Sequence, residues 1–403
     1  MTLLFLTIIF AIIILFLMLK KPLFVALSSG ILATIFLFQL GVYQIFQATT
    51  NFITNLDSIN ILLSMYLITY LQRMLESKKQ IKLAEMDLSH LFNNKRVTII
   101  GSSLVIGLLP SAAAMLLCAD IVSHQTKSYL NKEEQAFLTS WFRHIPESSL
   151  PTYSSVLLMV NLSGIPISTF MLYMIIPMLT LFSIGYFRYL RKIPIQDSQY
   201  VTTKEAKWKH AISFFKHLWS LLFIIVLIVV FKVAIVPAIL LAIILSALVY
   251  RFSRKELLNF VSQAFELKLL INMAFVLYFK EFLTISGGLA ELPKTLSLLP
   301  LPTYLLFVVL FFLGGIISGI SGIIALGTPL AFAAIPDGGV SLLVLLMCAG
   351  HAASQLSPVH VCLTVVSEYY EIGLGRLIYK TLPASLAFLL LMIGYYHVLQ
   401  LIN

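Results

Sequence analysis

The chain has 403 residues, 60% of them hydrophobic and 11% charged, with a mean hydropathy of +0.98. Soluble domains carry about 25% charged residues, and apolar runs of about 20 residues, each long enough to span a bilayer, recur along the sequence; a soluble fold is excluded. The net charge of +10 does not indicate a nucleic-acid partner. The Lys and Arg residues sit in short loops between apolar runs, which is the positive-inside pattern of membrane proteins.

In chain order, the first half reads as helices over Leu3–Leu19, Leu23–Phe46 and Ile59–Leu75. Lys20 and Lys21 follow the first apolar run instead of preceding it, so that run reads as a membrane helix and not a signal peptide. In the charged stretch Arg73–Arg96, Ile81, Ala84, Leu88 and Leu91 recur at helical spacing and suit a surface helix. An apolar segment, Val97–Val122, is interrupted at Gly107–Ala114. The run from Gln135 breaks at Pro146-Glu147-Ser148-Ser149-Leu150-Pro151 and resumes over Thr152–Leu162, and Ile167–Phe187 closes the half.

The polar loop Arg188–Lys209 separates the halves, and the order then repeats. Helices are expected over Ile212–Phe231, Ala234–Tyr250 and Lys268–Gly287. The segment Tyr304–Ala334 is interrupted at Gly314-Gly315 and at Ser318–Gly322. Val340–Ala352 breaks at Ser354–Pro358 and resumes to Tyr370, and Leu377–Leu401 is last. His144 and Pro151 fall in register with His351 and Pro358. The expected fold is an all-α polytopic membrane protein of two inverted repeats, residues 1–190 and 211–403, joined by a cytoplasmic linker at 191–210. Each repeat holds transmembrane helices, a re-entrant hairpin and an unwound helix.

Charge gives an orientation. With both termini outside and each interrupted hairpin entering and leaving on one side, 23 of the 27 Lys and Arg residues fall inside. Lys232 and Lys294 fall outside, and Arg143 and Lys280 within membrane segments. Inverted repeats are the architecture of many secondary transporters.

A helix interrupted in hydrocarbon frees backbone N–H and C=O groups at several kcal/mol each, so breaks persist only in protein or beside a watery cavity. There, helix N-termini attract anions and freed carbonyls coordinate cations. The breaks nominate Pro110, Ser111, Ala112, Ala113, Ser148, Ser149, Pro151, Gly319, Ser321, Gly322, Ser357, Pro358 and His360 as substrate- or ion-binding residues. Ionisable groups inside a membrane are costly and tend to be functional. Arg143, His144, Glu147, His351, Glu368, Lys280 and Glu281 are therefore candidates for coupling or gating, the bland alternative for the charged ones being simple pairing. His360, next to the second break, has a side chain whose reference pKa of about 6.5 suits proton coupling. Cys118, Cys348 and Cys362 lie in apolar stretches, fit no metal or disulfide spacing, and read as packing residues. No metal-binding motif appears, and no metal or cofactor is expected.

Together, Gly107-Leu108-Leu109-Pro110, Trp141-Phe142-Arg143-His144 and Leu356-Ser357-Pro358-Val359-His360-Val361-Cys362-Leu363 resemble the domain of unknown function 401 family of prokaryotic membrane proteins. That family belongs to the ion-transporter superfamily, with gluconate, citrate and dicarboxylate carriers and certain sodium–proton antiporters. The resemblance implies two scaffold–transport halves, often a homodimer, in a prokaryotic cytoplasmic membrane. It matches Pro110–Ala113 and Gly319–Gly322 to hairpin tips, and Ser148–Pro151 and Ser357–His360 to unwound segments. Ser111-Ala112-Ala113-Ala114 departs from it, since relatives carry more Gly and Pro there.

The expectation is a secondary carrier, not an enzyme, for a small anion such as an organic carboxylate, driven by H⁺ or Na⁺; the alternative within transport is a cation–proton antiporter. No nucleotide-binding motif appears. Gly319-Ile320-Ser321-Gly322 fits the Gly-x-Ser-Gly pattern of an intramembrane serine protease, with His351 or His360 as base, but the repeat explains those glycines without one.

Overall fold

The computed structural model describes residues 2–19, 21–91, 94–108, 112–195, 204–290, 296 and 300–402. Regular structure among them is helical. The first run of helices is α1 (Thr2–Met18), α2 (Leu23–Leu37), α3 (Val42–Thr54), α4 (Leu56–Ser77), α5 (Gln80–Leu91), α6 (Lys95–Ile106), α7 (Ala112–Thr126), α8 (Lys132–His144), α9 (Ser154–Ser163), α10 (Ile167–Tyr173) and α11 (Ile175–Arg188). The second is α12 (Lys204–Val229), α13 (Ile235–Val249), α14 (Arg254–Gln263), α15 (Leu267–Ile285), α16 (Thr303–Ala334), α17 (Gly339–Ser354), α18 (Val361–Tyr369) and α19 (Leu374–Ile402). Among the described residues five helices are long and apolar enough to cross a bilayer, or seven if each bent pair is one span.

The repeat extends to detail. Each run has two apolar helices, a bent pair, a hairpin, a broken helix and a closing span. The bent pairs α3–α4 and α14–α15 turn by 50° and 53°. α2 and α13 end in residues at positive φ, Gln39 (53°) and Arg251 (50°). This corrects the expected span Leu23–Phe46, which stops at Leu37 and restarts at Val42 as α3. α3 and α14 escape a hydropathy reading because they are short and polar-studded. α14 is instead set by its N-cap, where the Ser253 side chain and Glu256 form a capping box.

Two groups of helices pack together. In the first, α2 lies against α1 and α15, and α13 against α4 and α12. The expected surface helix α5 belongs here: Ile81, Ala84 and Leu88 are buried, and α5 packs on α12, where Asp87 takes His210 at 2.9 Å and His217 at 3.4 Å. In the second group the repeats exchange partners. α9, after the first break, packs on the hairpin α16 of the second run; α18, after the second break, packs on α7 of the first. That exchange carries both breaks to the middle of the molecule.

α16 turns at Gly319, at φ 76° and ψ 164°, a region essentially restricted to glycine. Gly314 and Gly315, expected to interrupt the segment, remain helical. Their role is close packing: a Cβ on Gly315 would sit 2.8 Å from that of Ala353 on α17, and one on Gly314 2.6 Å from Ile323 across the hairpin. At the first hairpin, a Cβ on Gly107 would collide with the Arg143 carbonyl, and the Tyr153 hydroxyl donates to the Gly107 carbonyl. Pro110 and Ser111, with Leu109, lie outside the described residues, and Ala112 and Ala113 open α7.

Candidate functional site

The first broken helix runs as α8, a 3₁₀ turn over Ile145–Ser148, and α9. The turn places Pro146 where a missing N–H costs nothing. Ser149 and Leu150 N–H groups both bond the Pro146 carbonyl, so much of the freed backbone is satisfied locally. The second runs as α17, an irregular stretch from Gln355, and α18, with His360 as N-cap residue. The breaks touch: the rings of His144 and His360 stand edge to face, centroids 4.7 Å apart.

A cavity of about 610 Å³ opens at this crossing. Its polar lining comes from Ser318–Gly322 at the α16 tip, from Ser354, Ser357 and His360, and from Glu147. Lys21, in the turn between α1 and α2, and Lys268 and Asn272 of α15 line it from the other group of helices. Asn272 accepts the Phe24 N–H at 3.0 Å, fixing the start of α2. Gly319 faces Val359, whose methyl would lie 3.7 Å from a Cβ there.

The residues nominated from sequence fall into three groups. Gly319, Ser321, Gly322, Ser357, His360 and Glu147 line the cavity; Ser357 donates to the Ile316 carbonyl at 2.7 Å, and Pro358 is exposed beside it. A second group is buried beside the cavity. Ser148 and Ser149 are 1% and 2% exposed and turn back on the Ile145 and Pro146 carbonyls; Pro151 is buried. Next to this break, Thr152 and Ser154 line a separate 150 Å³ cavity. Arg143, 1% exposed, donates to the Cys362 sulfur at 3.8 Å. His144, fully buried, lies 3.6 Å from Glu147. The third group is remote. His351 packs edge to face on Phe388, centroids 6.0 Å apart. Glu368 is exposed near the end of α18. Lys280 and Glu281 lie eight and nine residues beyond Asn272 on α15, about 12 Å further along the helix, and have no ion pair among the described residues.

Four residues of this region escaped sequence reading. Lys21, Lys268 and Asn272 look like ordinary loop and helix-end residues until α1, α2 and α15 are assembled. Cys362 was read as packing. Cys118 and Cys348 are buried as expected, but the Cys362 sulfur lies with ring nitrogens of His144 and His360, all within 4.8 Å of one another. These three side chains come from opposite halves of the chain, so no linear motif announces the grouping.

A helical membrane fold of two like runs, each with a hairpin and a broken helix, the two breaks meeting beside a cavity, defines the class. Residues 2–399 match the family described as "Protein of unknown function (DUF401)". The chain belongs to that family. Among solved structures it is similar to the one titled "Crystal structure of the Alcanivorax borkumensis YdaH transporter reveals an unusual topology", at 14% identity and a TM-score of 0.61, covering 88% of each chain. At that identity the likeness is one of fold. No curated protein matches the chain.

Proposed function

We propose that this protein is a secondary transporter of a small anion, of organic-carboxylate type, coupled to H⁺ or Na⁺, with its site in the 610 Å³ cavity. The observation that carries this reading is the cavity's lining. It combines two lysines, the hydroxyl of Ser321 and the backbone of a glycine-rich hairpin tip, donors that suit a carboxylate. The transporter fold shared with the Alcanivorax borkumensis protein supports it. In this reading residues 1–190 and 211–403 are inverted repeats joined by a cytoplasmic linker, both termini lie outside a prokaryotic inner membrane, and the cavity faces the cytoplasm. Reporter fusions after Asp197 should read cytoplasmic and after Asn403 external; a cytoplasmic C-terminus overturns the inversion. The family resemblance adds a homodimer, which the mass of the purified detergent complex tests.

A cation–proton antiporter is the second reading. It is favoured by Glu147, whose Oε2 is buried with no hydrogen-bond partner and which lines the same cavity. For a protease, Ser321 would need a base within hydrogen-bond reach. Among the described residues the Ser321 hydroxyl has no hydrogen bond to His351 or His360; His351 packs on Phe388.

A thermal-shift screen of purified protein against carboxylates, sugar acids and inorganic ions, with and without Na⁺, separates these readings. A bound anion at 100 times its Kd adds about 2.7 kcal/mol of stability and raises Tm. Lys268→Gln should weaken that anion about tenfold, and proteoliposomes should accumulate it under an ion gradient. Tm shifts from Na⁺ or other alkali cations, with none from any anion, would overturn the anion reading in favour of the antiporter.

A further inference from the structure

At the crossing of the two breaks, hydrogen bonding fixes the ring orientations of both histidines. His144 Nδ1 lies 2.7 Å from the Ser140 carbonyl oxygen, and His360 Nδ1 lies 3.1 Å from that of Ser354. A carbonyl accepts only, so in each neutral ring Nδ1 carries the proton and Nε2 presents a lone pair. A histidine that donates one ring N–H to a backbone carbonyl and offers the other nitrogen is the usual geometry of a metal ligand. His144 is fully buried, and its Nε2 has no hydrogen-bond partner. What faces it is another acceptor, Glu147 Oε2 at 3.6 Å, which also lacks one. Two buried acceptors turned toward each other need a proton or a metal ion between them.

We propose that His144, His360, Cys362 and Glu147 form a binding site for a divalent transition-metal ion, Zn²⁺ fitting best, at the crossing of the two broken helices. Two imidazoles, a thiolate and a carboxylate are the donor set of a four-coordinate zinc site; hard cations such as Mg²⁺ and Ca²⁺ select all-oxygen sites. The imidazole and sulfur donors lie within 4.8 Å of one another. Zn–N and Zn–S bonds of about 2.1 and 2.3 Å put ligand atoms about 3.5 Å apart, so side chains close in by about an ångström to bind. With a thiolate and a carboxylate the ion's charge is neutralised. Arg143, donating to the Cys362 sulfur at 3.8 Å, supports the ligand from outside the site. Two ligands come from the end of α8 and the turn after it, and two from the start of α18. The ion therefore ties the repeats together where their breaks meet. None of this rests on the anion reading.

The test is Co²⁺ and Zn²⁺ titration of the purified full-length protein in detergent. The expected result is one ion per chain, with a sulfur-to-cobalt charge-transfer absorption and tetrahedral d–d bands for Co²⁺. Cys362→Ser should abolish the charge-transfer band, and His360→Gln should weaken Zn²⁺ by more than about tenfold. Cys118→Ser and Cys348→Ala should change neither. Bound Zn²⁺ should also slow modification of Cys362 by a small thiol reagent. Failure of wild-type protein to bind Zn²⁺ at one per chain, or Co²⁺ spectra without the sulfur band, overturns the site while leaving anion binding untouched. Folding of each variant is read by its elution profile; if His360→Gln does not fold, Cys362→Ser alone decides.

Discussion

The two repeats use the same parts to line two unlike cavities. On one side, the α1–α2 turn and the start of α15 contribute Lys21, Lys268 and Asn272, and the 610 Å³ space runs in to the α16 tip and the second break. On the other, the corresponding α12–α13 turn and the start of α4 contribute Ala234, Asp57 and Asn60 to a 440 Å³ space. Lys268 and Asp57 are each the second residue of their helix. This second cavity reaches Val160, Asn161 and Gly164 at the far end of α9 but not Ser148 or Ser149. One break is open and basic at its approach; the other is sealed but for Glu147, which reaches the first cavity, and its vestibule carries an acid. Like elements thus yield an asymmetric molecule, the arrangement that the transport reading proposed above expects of one of two alternating states.

The sealed break should respond to damage as a core does. Gly107→Val drives a branched side chain into the Arg143 carbonyl, where backbone cannot yield, and should cost about 3 kcal/mol, read as a large fall in Tm or loss of folded protein. Gly319→Ala should cost about 2 kcal/mol, because φ 76° with ψ 164° tolerates a Cβ poorly; its signature is loss of the ligand-induced Tm shift in protein that still folds. Tyr153→Phe is smallest. It removes the bond to the Gly107 carbonyl, lowers stability by about 1 kcal/mol, and should leave the ligand shift in place. If Gly319→Ala keeps the full ligand response and Tyr153→Phe loses it, the assignment of open and sealed breaks is reversed.

The order of intact and interrupted elements was legible because breaks need Gly, Pro and Ser, and apolar runs count spans. Bends such as that between α3 and α4 were not, because a short polar-studded helix with Val42, Tyr43 and Phe46 exposed has no hydropathy signature of its own. Gly319 was legible as a break residue; Gly314 and Gly315 misled, since glycines that admit a neighbouring helix and glycines that break one look alike in sequence. At the site, Ser357 and His360 were found from the break beside them. Ser148 and Ser149 sit at the equivalent break and are turned inward, a difference of packing that composition does not carry. Lys21 and Lys268 enter only through the docking of α15 on α2, and Cys362 only through the crossing of α8 and α18.

In the transport reading proposed above, the open break lines the anion site and the sealed one does not. This is tested by cysteines placed singly at Val359 and Ser149 in protein whose three native cysteines are Ser. Labelling with a small hydrophilic maleimide is followed with and without the anion found by thermal shift. Rapid labelling is expected at position 359, slowed at least about tenfold by saturating anion, with little labelling at 149. Equal labelling at both positions, or no protection at 359, would contradict that reading.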